Sequence, residues 1–249
     1  GPHDLWGGPG PYADRGTMDH HNFVEIRERT DHVAFGHELI WHGRSQTGLD
    51  AGPELVRERR SMRVTVPAAD AWVLTWESVL TNISGTDLPL APAPGDDPGA
   101  GGLTWCGPRS FAGGKVLLPD GARSGGAGSD GAGDRAAWAG FTGLHDGTGR
   151  ASTVVIVESA ENPGVSRWVA ADAPFASLGS TPFGGGEVAF PPDATHTFRY
   201  AVVVGDGAGD VASAADLAAL GHEAIVAASV PPPPPTLGTF VSRRELRRA

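Results

Sequence analysis

The sequence holds a single cysteine, Cys106, so no disulfide can form within the chain. A small secreted disulfide scaffold and a cysteine-rich zinc module are both excluded. Positive charge is also scarce: 19 Lys and Arg stand against 29 Asp and Glu, a net charge of −10 at pH 7. That balance argues against a nucleic-acid binder, which would track phosphates with a basic face, and against docking on an anionic membrane surface. Long apolar runs are missing too. Ala151 to Val157 and Ala224 to Val230 fall far short of the ~20 residues a membrane span needs. A soluble, cytoplasmic protein is expected. No signal peptide is visible, and the chain opens on Gly1-Pro2-His3 rather than methionine, so a processed or truncated start is expected as well.

What is abundant is punctuation. The 37 glycines and 21 prolines are spread between short β-branched runs, as in a protein with many turns joining many strands. At 249 residues and 40% hydrophobic, the chain can bury a real core and suits one large all-β domain or two small ones. Strand patterns begin at Asn22 and continue through Ala34 to His42. In Leu55 to Val66, Val56, Glu58, Arg60, Met62, Val64 and Val66 share one parity, and Arg57, Arg59, Arg63 and Thr65 the other. Ala71 to Asn82 follows across Pro67-Ala68-Ala69-Asp70 as the second arm of a hairpin. Further strands are expected at Ala136–Thr142, Ser152–Glu158, Ser166–Ala170, Gly186–Phe190 and Thr197–Val204. Gly121 to Gly133 reads as a low-complexity surface loop. Asp210 to Ala228 is the one convincing helix, with Asp210 as its N-cap. Pro231 to Pro235 then ends it, ahead of a basic tail. The expected architecture is an antiparallel β-sandwich over residues 1–230 with one C-terminal helix, followed by a Pro-rich and basic tail over 231–249.

Several side chains could carry chemistry. His20 and His21 follow Asp19: either could act as a general acid or base, bind a metal beside Asp19, or sit exposed in a loop. His37 and His42 flank Trp41, but five residues apart on a strand they point to opposite faces, so no shared site is expected of them. Glu58 and Arg60, on one parity, could line a concave sheet face or form an ion-pair ladder on a solvated one. Arg109 could grip a carboxylate, a phosphate or sugar hydroxyls, with Trp105 and Phe111 stacking on a sugar ring. It could equally staple loop carbonyls, with Trp105 in the core. Trp138, with Arg135, could complete a cleft wall or pack inside. Gly184-Gly185-Gly186 lacks the context of a phosphate loop, and no Gly-x-Ser-x-Gly elbow occurs.

The segment Gly102-Leu103-Thr104-Trp105-Cys106-Gly107-Pro108-Arg109-Ser110-Phe111-Ala112-Gly113-Gly114 resembles the bacterial family labelled DUF6807 or "methane oxygenase PmoA". Similar stretches recur in order at Gly1 to Pro9, Gly16 to His20, Glu58 to Arg60, Leu80 to Gly85, Arg135 to Gly143, His145 to Gly147 and Phe198 to Val204. The methane-oxygenase label fits poorly, because nothing in this chain could span a bilayer. The resemblance implies instead a galactose-mutarotase-like supersandwich that handles sugars. It also singles out His20 and implies a histidine-rich segment, in longer relatives, upstream of Gly1.

The leading expectation is therefore a protein that binds or acts on a sugar-like small molecule. His20 would be the acid or base, Glu58 its partner and Arg109 the group that orients oxygens, as in an epimerase- or mutarotase-like isomerase. Trp6, Trp41, Trp105, Phe111, Arg135 and Trp138 would contact substrate. The alternatives are a non-catalytic carbohydrate-binding or accessory protein and a metal-dependent lyase or hydrolase acting on oxidised glycosides. No cofactor is expected, although a divalent metal would be needed in the last case. A homo-oligomer is compatible with all of them.

Overall fold

The computed structural model describes residues 16–45, 51–91, 101–123, 136–164 and 166–229. Trp6, Arg135, most of the low-complexity stretch and the 231–249 tail lie outside the described residues. Twelve strands follow in chain order: β1 (Thr17–Glu28), β2 (His32–His42), β3 (Glu54–Ala68), β4 (Ala71–Asn82), β5 (Thr104–Cys106), β6 (Lys115–Leu118), β7 (Gly121–Arg123), β8 (Trp138–Leu144), β9 (Ala151–Glu158), β10 (Arg167–Ala171), β11 (Ser177–Thr181) and β12 (Thr195–Asp206). One helix, α1 (Val211–Ser229), closes the described chain.

Nine strands form one antiparallel sheet in the order β1-β2-β3-β4-β12-β9-β8-β6-β7; β10-β11-β5 form a second, small sheet. The alternation of side chains along each strand divides the large sheet into two faces. On one, Val73, Val155, Val157, Ala201 and Val203 pack under α1. The helix docks through Ala214, Ala218, Gly221 and Ile225, a stripe at helical spacing. By length and composition α1 is long and apolar enough to cross a membrane, which corrects the expectation that no segment could, although its Ala214–Ile225 stripe is packed on the sheet. On the other face, Ile156, Ala139 and Phe141 meet Trp168 and Leu178 of the small sheet. The expected antiparallel sandwich with a single late helix is thus the observed one.

The hairpin through Pro67 forms as expected, with Ala68 opposite Ala71. Asp210 caps α1, its Oδ1 accepting the Ser213 amide at 2.9 Å. Other expectations need correction. Gly186–Phe190 contributes only an isolated bridge, Leu90 to Val188, and Gly186 ahead of it takes a positive φ that a regular strand does not use. Gly121–Arg123 is a strand rather than loop. The three-residue β5 and the short β6 and β11 are too brief to leave a readable alternation. Asn82, part of a glycosylation-like Asn-Ile-Ser triplet, is fully buried and donates to the carbonyls of Thr86 and Phe190, at 2.8 and 2.7 Å.

Candidate functional site

Cross-strand partners in an antiparallel sheet share a face. The row Phe23–His37–Arg60–Ser78 runs across β1 to β4, next to the rows His20–Leu39–Glu58–Leu80 and Ile26–Phe35–Met62–Trp76. All of these side chains stand on the face that, farther along, carries the small sheet.

At the centre lies Glu58, with no exposed surface at all. A buried carboxylate must be paired and hydrogen-bonded, and this one is. Its Oε1 accepts from Arg60 Nε at 2.7 Å and Ser78 Oγ at 2.6 Å; its Oε2 accepts from Arg60 Nη2 and Trp41 Nε1, each at 2.8 Å. The Arg60–Glu58 contact is bidentate, the geometry that fixes a guanidinium in direction as well as place. Arg60 also lies 4.7 Å over the ring of Trp76, whose indole nitrogen donates to Ser78 at 2.9 Å. Its Nη2 reaches Met18 Sδ at 3.3 Å. Its Nη1 has no partner among the described residues.

Beside it sits a pair of imidazoles, with His20 Nδ1 and His37 Nδ1 3.2 Å apart. One nitrogen must donate and the other accept, so the neutral pair shares one of its protons across that contact. Burial, reinforced by the charge of Arg60, holds His37 below the ordinary histidine range and so keeps it neutral at pH 7. The Nε2 of His37 is shielded and unpaired. Phe23 and Phe35 flank the ring, with centroids 6.2 and 5.4 Å away.

A second polar cluster lies on the same face two strands beyond Trp76. Glu158 is opposite Tyr200, and Tyr200 is opposite Trp76. Ser180 of the small sheet donates to Glu158 Oε2 at 2.7 Å. Burial raises the Glu158 carboxyl above its ordinary value. A carboxyl raised on folding favours the fold below its ordinary titration near pH 4.5, and that contribution is lost as pH rises through the folded value. Glu158→Gln, which removes the titration, is therefore expected to gain stability relative to the native protein as pH rises from 4.5 to 8. Melts across that range check it; parallel curves would contradict it.

The structure brings Trp41 and Glu58 together and puts His20 beside them through His37. It does not bring Arg109 there. Arg109 is exposed in a 3-10 turn, Arg109–Phe111, and Phe111 stacks on Phe141 of β8 and beside Trp105. Six strand spacings separate β8 from β1, roughly 29 Å along the sheet at ~4.8 Å each. The expected grouping of His20, Glu58 and Arg109 is thus not assembled. Trp138 is 7% exposed and lies under α1, on the opposite face from Trp105, so it packs the core rather than a shared cleft wall. Glu58 differs as well: its four hydrogen bonds commit it to holding Arg60, not to partnering His20.

His37, Ser78, Trp76 and Glu158 were missed. His37 shares the parity of Trp41 and Phe35, a signal present in the sequence, whereas its spacing from His42 places those two on opposite faces. Nothing in the sequence pairs Glu158 with Ser180. Among the described residues no group of three His, Cys, Asp or Glu side chains is placed to hold a metal ion.

The Gly-Pro-Arg-Ser-Phe loop is held by backbone: the Gly107 amide donates to Ala176 O at 2.8 Å and the Gly113 amide to Asp172 O at 2.9 Å. A methyl added at Gly114 would strike the Thr142 carbonyl oxygen and the Phe141 ring. Gly114→Ala is expected to cost about 1–3 kcal/mol, read by urea denaturation. No loss would mean the loop does not seat this tightly.

Residues 1–219 match the profile of DUF6807, described as a family of unknown function. The chain belongs to this family. The methane-oxygenase label is no part of that match. No curated protein matches the DUF6807 chain. Among solved structures it is similar to a GH36 α-galactosidase from Geobacillus stearothermophilus, at 11% identity and a TM-score of 0.46 over 78% of this chain and 29% of that one. It is likewise similar to an α-galactosidase from Lactobacillus brevis, at 10% identity and a TM-score of 0.44 over 78% and 28% of the two chains. A GalM/aldose epimerase homologue from C. elegans aligns at 10% identity and a TM-score of 0.29, over 75% and 69%. The chain spans less than a third of the length of the two galactosidases.

Proposed function

We propose that this DUF6807 protein binds a sugar-like ligand on the polar patch of its large sheet, and that the His20–His37 pair moves protons there. Arg60 carries this reading. Its guanidinium is anchored by a fully buried carboxylate, laid over an indole, and left with an Nη1 that has no partner among the described residues. A polyhydroxylated ring needs those features together: hydrogen-bond donors fixed in direction and an aromatic surface for its C–H face. The resemblance of the sequence to DUF6807, which implies a mutarotase-like sandwich, points the same way.

Acid–base chemistry at a hemiacetal or sugar carbonyl suits the set. His20, exposed on this face, would take the proton of the anomeric hydroxyl and return it to the ring oxygen as the bond from the anomeric carbon to that oxygen opens. His37, neutral behind it, would orient His20 through the Nδ1 contact. Arg60 would steady the sugar oxygens. Glu58, Trp41 and Ser78 act through Arg60 and are positioning residues.

A non-catalytic binding protein is the second reading. It is favoured by one observation: the carboxylate nearest the imidazoles is fully engaged by Arg60. A metal-dependent lyase or hydrolase would need ligands beyond the two imidazole nitrogens, and we derive no step through a metal. Polarimetry on freshly dissolved aldoses separates the first two readings. Faster equilibration of the anomers, abolished in His20→Asn, is the expected result. Sugar binding without acceleration would leave the binding reading alone, and neither effect would overturn both.

A further inference from the structure

The two faces of β1 to β3 differ sharply in chemistry. One carries Glu25, Arg27, Glu38, Arg57, Arg59 and Arg63, as a solvated face should. The other, beyond the His20–His37–Arg60 patch, carries Phe23, Ile26, Val33, Phe35, Met62 and Val64, with cross-strand pairs Ile26–Phe35, Phe35–Met62 and Val33–Val64. Four of these are strongly exposed: Ile26 at 77%, Phe23 at 58%, Val33 at 54% and Val64 at 37%. Contiguous apolar surface of this kind marks a binding site more often than it occurs by chance. It is continuous with the polar patch, because Phe23 touches both imidazoles, its centroid 4.5 Å from His20 and 6.2 Å from His37. Neither α1 nor the small sheet covers it.

Resting on the sugar-binding reading above, we propose that the ligand is amphiphilic, a sugar head joined to an apolar aglycone, with the head at Arg60 and His20 and the aglycone laid over Phe23, Ile26, Val33 and Val64. A free monosaccharide would leave this strip in water. An aryl or alkyl group attached to the sugar would extend from the polar patch onto it; simple glycosides, which have no anomeric hydroxyl to deprotonate, are non-reacting probes of that contact. The exposed Phe23 and Ile26, separated by a bulge after Phe23 that returns Ile26 to the same face, line its path.

The test is calorimetric titration of the whole chain with methyl, phenyl and octyl glucosides and galactosides, the octyl compounds kept below their micelle concentration. Phenyl and octyl glycosides are expected to bind about 10-fold tighter or more than the methyl compound of the same sugar, since apolar burial scales with added carbon. The paired variant Ile26→Ser/Val33→Thr, which touches no polar residue of the site, is expected to abolish that gain and leave methyl-glycoside affinity unchanged. Equal affinity for methyl, phenyl and octyl compounds would overturn the inference while leaving the sugar-binding reading intact. Binding of none would overturn both. Light scattering on the same samples supplies the remaining outcome. A dimer that reverts to monomer in Ile26→Ser/Val33→Thr would assign the strip to a second copy and overturn the aglycone.

Discussion

Glu58→Ala is expected to destabilise the protein by about 3–5 kcal/mol, a fall in Tm on the order of 10 °C for a chain of this size. The cause is not the loss of attraction alone. Removing a fully buried carboxylate leaves the Arg60 guanidinium, largely enclosed with side-chain exposure of 17%, without its counter-charge. Trp41 Nε1 and Ser78 Oγ lose their acceptor at the same time. Each unmet buried donor adds to the cost. An exposed ion-pair ladder would behave quite differently, at ~0–1 kcal/mol. Thermal and urea denaturation together decide between them. A loss under 1 kcal/mol would mean that Glu58 is not the anchor described.

Glu58→Gln/Arg60→Met is expected to keep most of the stability and lose ligand binding, by 100-fold or more. Swapping a buried ion pair for neutral groups of similar volume is often close to neutral for stability. The new amide can accept from Trp41 Nε1 and donate to Ser78 Oγ, which keeps both neighbours in contact and leaves the Ser78 hydroxyl proton as the donor to be re-paired. What disappears is the guanidinium, with its fixed direction and an Nη1 that has no partner among the described residues. A variant that folds but does not bind would separate the two roles of this cluster. A variant that folds and binds as before would remove Arg60 from the site.

Much of the fold was legible because its long strands alternate cleanly. The parity of Val56, Glu58, Arg60, Met62 and Val64 on β3 already separated the two faces, and the Pro67–Asp70 turn placed β4 beside it. The burial of Glu58 was not legible, because it depends on Trp41 and Ser78 arriving from neighbouring strands. Arg109 misled for a related reason. Its glycine-rich loop is distinctive in sequence, but strand order carries β8 far from β1, and strand order is a tertiary property. His37 was visible on the parity of Trp41, yet its importance rests on His20, brought opposite by a bulged pairing of β1 that no local pattern announces. Glu158 shows the same limit: its partner Ser180 comes from the other sheet.

The most direct measurement is a thermal melt of the native protein and of Glu58→Gln/Arg60→Met against one panel of sugars, sugar acids, keto-sugars and alkyl or aryl glycosides. A ligand present at about a hundred times its Kd stabilises by ~2.7 kcal/mol, a rise of several degrees. Such a rise is expected in the native protein with at least one sugar class, and none in the variant. A native melt that moves with no compound, or an equal rise in both proteins, would contradict it.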